Sequence, residues 1–249
     1  MSTAVMKRAT LPGAAKAKAG SEIKSKAKAG GEISSPDKVV EAINKGILTR
    51  RFGPGHRLVE ADLANSLNVS RGTVREAIKK LAAQGVVRLS PHRGAMIRPL
   101  SRQEAEQLVL VLEVLCGLAA RLAAANIGKG DAHGRFKAAS DLLTQASLEM
   151  GTEQFLANRA SYYAVMLEIA DNPELNRLMP VPQIHLFRSQ FQSFLQPKDI
   201  ADMQREYVEI GAAVLAGDEL VAESRMRKHM KRTRDRLVVI GEDAFDQQY

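Results

Sequence analysis

The stretch that decides the fold reads EADLANSLNVSRGTVREAIKKLAAQGVVRLSPHRGAMIR and occupies residues 60–98. Its first part, 60–67, has one apolar face and ends at a tight turn that contains Asn68. Ser70 comes next, and its hydroxyl can accept a free backbone N–H at the start of a second helix. Apolar residues in that helix recur at helical spacing and predict one buried stripe. The stripe consists of Val74, Ile78 and Leu81.

Basic residues follow another face of the second predicted helix, since Arg71, Arg75 and Lys79 are spaced four residues apart. Two short helices joined by a tight turn form a helix-turn-helix. In that motif the second helix presents its N-terminal residues to base edges in the major groove. The stretch therefore predicts a DNA-reading element.

The residues after the second helix alternate like two paired strands, 86–89 and 95–98. Gly85 separates the helix from the first strand, at a position where a left-handed backbone is common. A helix-turn-helix followed by a hairpin is a winged helix, whose tip can reach the phosphates or the minor groove. His92 and Arg93 occupy that tip.

Composition indicates helices packed through Leu, Ala and Val. The 249 residues are 45% apolar and only 4% aromatic, with no tryptophan. One cysteine, Cys116, excludes an internal disulfide framework and fits a reducing compartment. Its surroundings, LVLVLEVLCGLAARLAA, are interrupted by Glu113 and Arg121. We therefore expect a cytoplasmic protein without a membrane span.

The net charge of +8 is unevenly distributed. Residues 1–35 carry seven basic and two acidic side chains, and residues 36–100 carry twelve basic and five acidic ones. Residues 101–249 carry seventeen basic and 21 acidic side chains. A basic N-terminal half on a mildly acidic C-terminal half predicts that the N-terminal half meets a polyanion. Residues 1–35 are rich in Lys, Ala, Gly and Ser, which predicts a disordered tail. That tail either adds phosphate attraction or is merely solvated.

From residue 101 onward the pattern predicts only helices, with glycines and prolines at the breaks. These helices are expected at roughly 102–126, 131–148, 152–170, 173–195, 198–216 and 218–240. The expected fold class is mainly α, with an N-terminal winged helix-turn-helix and a C-terminal six-helix antiparallel bundle. The expected domains are a tail at 1–35, the winged helix at 36–100, the bundle at 101–241 and a short tail at 242–249.

The run PGHRLVEADLANSLNVSRGTVREAIKKLAAQGVV, closed by PHRGA, resembles the DNA-binding domain of GntR-family bacterial transcriptional regulators. The resemblance covers roughly residues 36–100. It implies a set of DNA-contacting positions on the second helix and the wing. They are Ser70, Arg71, Gly72, Thr73 and Arg75, with His92 or Arg93 at the wing. In the FadR-like branch an arginine early in the preceding helix also contacts DNA. Ala61 stands at that position here, so this contact is lost or moved.

The helical half is similar to the C-terminal FCD domain of the FadR-like subfamily, in its shorter VanR-like form. The fragments GLAARLAA, ADNPEL and AVLAGD, followed by His229, carry this resemblance. It implies a domain for effector binding and dimerisation. The partners it implies are an operator in double-stranded DNA and a second copy of the chain, and the pocket residues discussed next add a small carboxylate effector to them.

Many members of this family hold a divalent metal through one Asp and three His. The resemblance places Arg159, Tyr163, Tyr207 and His229 at those four positions. A guanidinium and two phenols are poor ligands for a divalent metal at neutral pH, so we expect no metal and no other cofactor. We expect Arg159 to bind an anionic effector instead, with Arg188 as a second cation and the other three as hydrogen-bond partners. The alternative is an exposed Arg159 beside tyrosines that only fill a degenerate pocket.

The first helix of the family's bundle often carries Arg and Glu four residues apart, where this chain has Leu112 and Cys116. We therefore expect a more apolar pocket, suited to an aromatic or hydrophobic acid. Cys116 on an apolar helical face is expected to be a small core residue rather than a nucleophile.

These features predict a repressor that a small organic acid, for instance an aromatic carboxylate, releases from a pseudo-palindromic operator. The alternatives are an activator of the same fold and a non-specific architectural protein of nucleic acids. An enzyme is disfavoured because no nucleophile–base pair or phosphate-binding loop occurs and the five histidines are scattered. The expected location is the bacterial cytoplasm, in association with the nucleoid.

Overall fold

The computed structural model describes residues 35–90, 94–145, 151–241 and 244–245. The predicted N-terminal tail and the wing-tip residues His92 and Arg93 lie outside the described residues, apart from Ser35, which begins the first helix. The N-terminal elements are α1 (Ser35–Leu48), β1 (Arg57–Leu58), α2 (Glu60–Leu67), α3 (Arg71–Ala83), β2 (Val87–Ser90) and β3 (Gly94–Ile97).

Local chemistry fixes both ends of α3. The Ser70 hydroxyl accepts the backbone N–H of Thr73 at 3.0 Å, which confirms the predicted N-terminal cap. Asn68, in the left-handed conformation at φ 51°, ends α2 and turns the chain toward α3. Gly85, at φ 71°, allows the chain to leave α3 and enter β2.

Three antiparallel strands in the order β1-β3-β2 complete the winged helix. Val87 pairs with Ile97 at the open end of the hairpin, and Ser90 pairs with Gly94 at the end next to the connecting residues. The sequence patterns did not predict β1, because a strand of two residues carries no alternation to detect. The predicted stripe of α3 is buried against α1 and the sheet.

The C-terminal elements are α4 (Arg102–Asn126), α5 (Ala132–Thr144), α6 (Gly151–Ala170), α7 (Pro173–Leu178), α8 (Val181–Phe191), α9 (Pro197–Leu215) and α10 (Glu219–Val239). Side-chain caps start several of these helices. Ser101 and Glu104 form a capping box at the start of α4, and Asp218 caps α10 through the N–H of Val221. The mainly α fold class, with a winged helix before a helical domain, is confirmed.

The prediction of one continuous helix over 173–195 was wrong. The chain leaves the helical conformation at Met179, and α8 begins two residues later at Val181. Pro180 accounts for this break, because proline cannot donate a helical hydrogen bond and disfavours the helical conformation in the residue before it. The resulting α8 is a separate helix, which packs against α1 of the winged helix.

α4 is the central helix of the bundle and packs against α6, α9 and α10. Among the described residues it is the one helix long and apolar enough to cross a bilayer, with a mean hydropathy of 2.1. Its buried face, which includes Val109, Leu112, Cys116 and Ala119, belongs to the protein core. The length and apolarity of α4 are therefore those of a core helix.

Candidate functional site

The N-terminus of α3 is the exposed end of the helix-turn-helix. Ser70, Arg71 and Gly72 are exposed there, and Thr73 is half-buried. A Cβ added at Gly72 would meet only the Ser70 hydroxyl, at an ordinary 3.6 Å. Nothing in the described part of the chain therefore requires a glycine at this position. Glycine is a poorer helix former than alanine, and the protein leaves room for a side chain at this position.

Arg75 lies one turn further along α3 and is anchored by a residue that sequence analysis missed. Its Nε donates to both carboxylate oxygens of Glu60, at 2.8 and 3.1 Å. Glu60 is the first residue of α2 and directly precedes Ala61. The pair joins residues 15 apart in the sequence, so only the packing of α2 on α3 could reveal it. Glu60 thus orients the Arg75 side chain on the exposed face of α3.

Arg57 is a further basic residue near the wing. It is exposed on β1, and its guanidinium lies 3.9 Å from the position that a Cβ on Gly94 would occupy. Gly94 is the first residue after the wing tip and has a φ of 79°. Arg57 therefore adds a positive charge at the base of the wing.

A cavity of about 280 Å³ lies inside the bundle and is lined by α4, α6, α8 and α10, with most of its wall apolar. Three of the five predicted effector residues line it, namely Arg159, Tyr163 and Arg188. Its other polar lining residues are Cys116, His185 and Thr233. Sequence analysis missed His185, although it stands three residues before Arg188 and so shares its helical face.

Arg159 and Arg188 are deeply buried, with only 6% and 7% of their surfaces exposed. Within the described residues, neither guanidinium forms an ion pair with a carboxylate. They lie over aromatic rings instead. The Arg188 guanidinium carbon is 5.1 Å from the centre of the Tyr163 ring, and that of Arg159 is 5.7 Å from the centre of the Tyr207 ring. Arg159 is thus a buried cavity residue and not an exposed one.

Burial and the neighbouring charge of Arg159 lower the pKa of Arg188 to about 10. The guanidinium of Arg188 nevertheless stays charged at neutral pH. Burial and the same Arg188 charge lower the pKa of His185 to about 4, so this imidazole is neutral. Burial raises the pKa of the Cys116 thiol to about 12, which makes it unreactive at neutral pH. The cavity therefore carries two positive charges from its own lining residues.

Tyr207 and His229, the other two predicted effector residues, lie behind the cavity wall. The hydroxyls of Tyr207 and Tyr163 are 3.5 Å apart, and the ring centres of Tyr207 and His229 are 4.7 Å apart. His229 Nδ1 lies 2.6 Å from a carboxylate oxygen of Glu206, a residue that sequence analysis missed. The predicted residues therefore form two layers, of which one lines the cavity.

Glu206 anchors this second layer. Burial raises the pKa of Glu206, but the hydrogen bond from His229 and the charge of Arg236 outweigh burial and hold it at about 2. Burial lowers the pKa of His229 to about 4, against the opposing effect of Glu206. At neutral pH the carboxylate only accepts hydrogen bonds, so Nδ1 of the neutral imidazole carries the proton. Arg232 and Arg236 also donate to Glu206, at 3.0 and 3.1 Å.

The residues at the family's metal positions do not fit a metal. Three of the four are a guanidinium and two phenols, and the Nδ1–H of His229 is directed to Glu206. In the described ranges, no group of three or more His, Cys, Asp or Glu side chains is placed to hold a metal ion. The buried Arg159 instead gives this region a fixed positive charge.

Helix α8 connects the cavity to the winged helix. His185 and Arg188 face the cavity, whereas Leu186 and Phe191 belong to the apolar core of the winged helix. The buried Gln190 side chain accepts the backbone N–H of Leu100 and donates to its carbonyl, each at 2.8 Å.

A second α8 contact reaches α3 itself. Gln183 Nε2 donates to the carbonyl of Gln84, which is the C-terminal cap of α3, at 2.6 Å. One short helix therefore touches the cavity, the segment that joins the two domains and the end of α3.

A winged helix joined to a helical bundle with an internal cavity defines a class of protein, the DNA-binding regulators that carry a sensor domain. Residues 36–97 match the bacterial regulatory proteins of the gntR family, and residues 107–232 match the FCD domain. The chain belongs to the GntR family of transcriptional regulators and carries an FCD domain. It is a DNA-binding regulator and not an enzyme.

Relatives of known description agree with this assignment. The chain is 27% identical, over 78% of its length and 83% of the relative's, to the probable D-xylose utilization operon transcriptional repressor of Paenarthrobacter nicotinovorans. It is 21% identical, over 84% and 91% of the two chains, to the transcriptional repressor RspR of Escherichia coli.

Solved structures show the same fold. McbR/YncC of E. coli aligns with a TM-score of 0.71 at 18% identity, over 83% of this chain and 98% of that one. A GntR transcriptional regulator from Rhodococcus aligns with a TM-score of 0.64 at 21% identity, over 82% and 97% of the two chains.

Proposed function

We propose that this regulator is a repressor that a small organic acid releases from a pseudo-palindromic operator. The observation that carries the proposal is the pair of buried arginines, Arg159 and Arg188, in the cavity that α8 borders. A buried cation without a carboxylate partner is costly, and an anionic ligand would supply that partner. The relatives named as repressors favour repression over activation. The proposed site of action is the nucleoid in the bacterial cytoplasm.

Operator recognition is assigned to the exposed start of α3 and to the wing. Arg71 and Arg75 are proposed as the base readers, because a guanidinium pairs bidentately with O6 and N7 of guanine. Ser70, Gly72 and Thr73 are proposed to approach the phosphate backbone beside them. His92 and Arg93 are proposed to contact the phosphates or the minor groove from the wing tip.

The proposed operator symmetry requires a homodimer, since paired recognition helices read half-sites related by a two-fold axis. Helix α4 offers a surface for this contact. Its exposed face carries an apolar stripe at helical spacing, which consists of Leu110, Val111, Val114 and Leu118. A monomer gains nothing from exposing four large apolar side chains side by side, so we assign a second copy of the chain to this stripe.

Transmission between the two sites is assigned to α8. An anion that draws Arg188 into the cavity moves the helix that also holds Leu100 and the end of α3. Because the two recognition helices of a dimer must match the spacing of the half-sites, a small displacement weakens operator binding. Effector and operator then oppose each other by linkage.

The test uses the full chain and a fluorescent duplex from the region flanking its own gene, with a shuffled duplex as control. At physiological salt we expect the flanking duplex to bind at least about 1,000-fold more tightly than the shuffled one. We also expect one or more acids of a panel of small carboxylates to weaken that binding. Equal affinity for both duplexes would indicate an architectural protein and contradict the proposal. A specific complex that every acid leaves intact would refute the anionic effector.

A further inference from the structure

The cavity has an excess of two positive charges that no described residue cancels. Arg159 and Arg188 both line it, and each lowers the cost of an incoming anion. Tyr207 and His229 stand between Arg159 and Glu206. The Glu206 carboxylate already accepts hydrogen bonds from His229, Arg232 and Arg236. A ligand with one negative charge would leave one buried cation unbalanced.

We propose that the effector carries a doubly charged anionic head, either a phosphate monoester or two neighbouring carboxylates, on a compact apolar body. This inference rests on the proposed role of the cavity as the effector site. The geometry provides for such a head. The guanidinium of Arg188 lies over the Tyr163 ring, and the guanidinium of Arg159 lies over the Tyr207 ring. The hydroxyls of these two tyrosines are close to each other. One head placed beside Tyr163 is therefore within reach of both arginines.

The donor chemistry also favours a head with several oxygens. Two guanidinium forks present many N–H donors, and a phosphate or a pair of carboxylates offers them three or four acceptor oxygens where a single carboxylate offers two. The Nε of Arg159 is buried without a hydrogen-bond partner among the described residues. A further acceptor close to Arg159 would satisfy this N–H.

The rest of the wall limits the body of the ligand. Val109, Leu112, Leu167 and Met230 line the cavity, so the body is apolar. A volume of about 280 Å³ corresponds to the bulk volume of roughly nine water molecules. That space accommodates one aromatic ring or a short branched chain with its head.

The described groups with shifted pKa values in the cavity wall and directly behind it keep their charge between pH 5 and 8, so a ligand that titrates in this range is what changes charge in the cavity. In the cavity wall, the pKa of His185 on α8 is about 4 and the pKa of Cys116 on α4 is about 12. Burial raises the pKa of Tyr163 on α6 well above its usual value. Behind the wall, the pKa is about 4 for His229 on α10 and about 2 for Glu206 on α9. The cations that face this region are Arg159, Arg188, Arg232 and Arg236, beside the hydroxyl of Tyr207.

The test measures binding of two matched pairs of probes to the full chain without DNA, by isothermal titration calorimetry. Phenyl phosphate and phenyl sulfate share a shape and differ in charge at pH 7.5. Benzylmalonate and 3-phenylpropionate differ by one carboxylate. We expect the dianion of at least one pair to bind at least about tenfold more tightly than its monoanion. Preference in only one pair identifies which of the two heads the site takes.

A pH series separates charge from shape. The second pKa of an aryl phosphate is near 6, so phenyl phosphate is mostly a monoanion at pH 5. If the phosphate pair shows the preference, we expect it to disappear at pH 5. The affinity for phenyl sulfate is expected to stay constant.

Variants link the preference to the two arginines. Arg159→Met and Arg188→Met each remove one charge and keep an apolar side chain, and each is expected to abolish most of the dianion preference. Arg225→Met, on the surface of α10, is the matched control and is expected to bind like the unaltered protein. Because each cavity variant also removes a buried repulsion, we expect its thermal midpoint without ligand to be equal to or above that of the control.

Monoanions that bind as tightly as their dianionic partners would overturn the inference and leave the sensor role intact. The absence of saturable binding by all four probes at millimolar concentration would overturn it as well. Release of the operator by an uncharged compound, unaffected by either arginine variant, would contradict the proposed function itself.

Discussion

Gly72 occupies a helical position where the protein has room for a larger residue, because an added Cβ meets only Ser70 at 3.6 Å. We predict that Gly72→Ala has opposite effects on stability and on DNA binding. The free energy of unfolding should rise by up to about 1 kcal/mol, since alanine is the better helix former. Operator affinity should fall, because the added methyl group stands where the proposed complex brings the DNA backbone close to Gly72. Chemical denaturation and fluorescence anisotropy measure the two quantities, and unchanged or tighter operator binding would contradict the account.

His229 and Glu206 predict how stability depends on pH. The pKa of His229 falls from 6.5 to about 4 on folding, so the unfolded chain binds more protons between these values. The stability that His229 contributes is therefore complete above pH 6.5 and is lost as the pH falls toward 4. Glu206, with its pKa lowered from 4.5 to about 2, contributes stability above pH 4.5 that is lost below it. We predict that the thermal midpoint falls steadily from pH 7 to pH 4.

The variant His229→Asn should flatten this dependence between pH 6.5 and 4, because its amide can still donate to Glu206 but does not titrate. His133→Asn, at an exposed position of α5, is the control and should keep the slope of the unaltered protein. Equal slopes in the two variants would show that His229 does not titrate as the structure implies.

For single residues, the sequence predicted which side chains lie at the cavity better than it predicted their hydrogen-bond and ion-pair partners. The family resemblance pointed to Arg159 and Tyr163, which do lie together at the cavity. The partners Glu60 and Glu206 were missed, because their pairs join residues 15 and 23 apart on different helices. Burial without a carboxylate partner, which carries the functional proposal, is a property of packing that no spacing rule contains.

Helix α8 is the element whose boundaries the sequence did not predict. Caps and glycines predicted the start of α3 and the end of α9, because those signals act over a few residues. The break at Pro180 was missed, since the apolar pattern continues on both sides of it. The break matters because it produces a short helix that packs on the winged helix and on the cavity at once.

We predict that Gln190→Leu uncouples the two domains. The substitution keeps the volume but removes the hydrogen bonds to Leu100 and to the Ala244 carbonyl, and should lower the free energy of unfolding by roughly 1–3 kcal/mol. The ratio of operator affinities without and with a releasing acid should fall toward one. Anisotropy titrations measure that ratio, with Gln103→Leu, exposed near the start of α4, as the control. A destabilised variant with unchanged coupling would exclude α8 as the transmitting element.

For the whole molecule, the exposed stripe of α4 predicts the assembly. Val114 is 50% exposed in the single chain and lies at the middle of the stripe. We predict that Val114→Glu yields a monomer in analytical ultracentrifugation and binds the operator far more weakly, because two half-sites are no longer read together. Leu142→Glu, 57% exposed on α5 and outside the stripe, should remain a dimer. A dimeric Val114 variant would place the interface elsewhere.

The central claim is that an anion bound by Arg159 and Arg188 controls the affinity of α3 for the operator. Its most direct test is the release of the operator from the dimer by a small carboxylic or phosphorylated acid, compared among the unaltered protein, Arg159→Ala and the surface control Arg225→Met. The account predicts that Arg159→Ala binds the operator normally but requires at least about tenfold more acid for half-release, because the variant loses a buried charge-assisted contact. Half-release at the same acid concentration in all three proteins would contradict it.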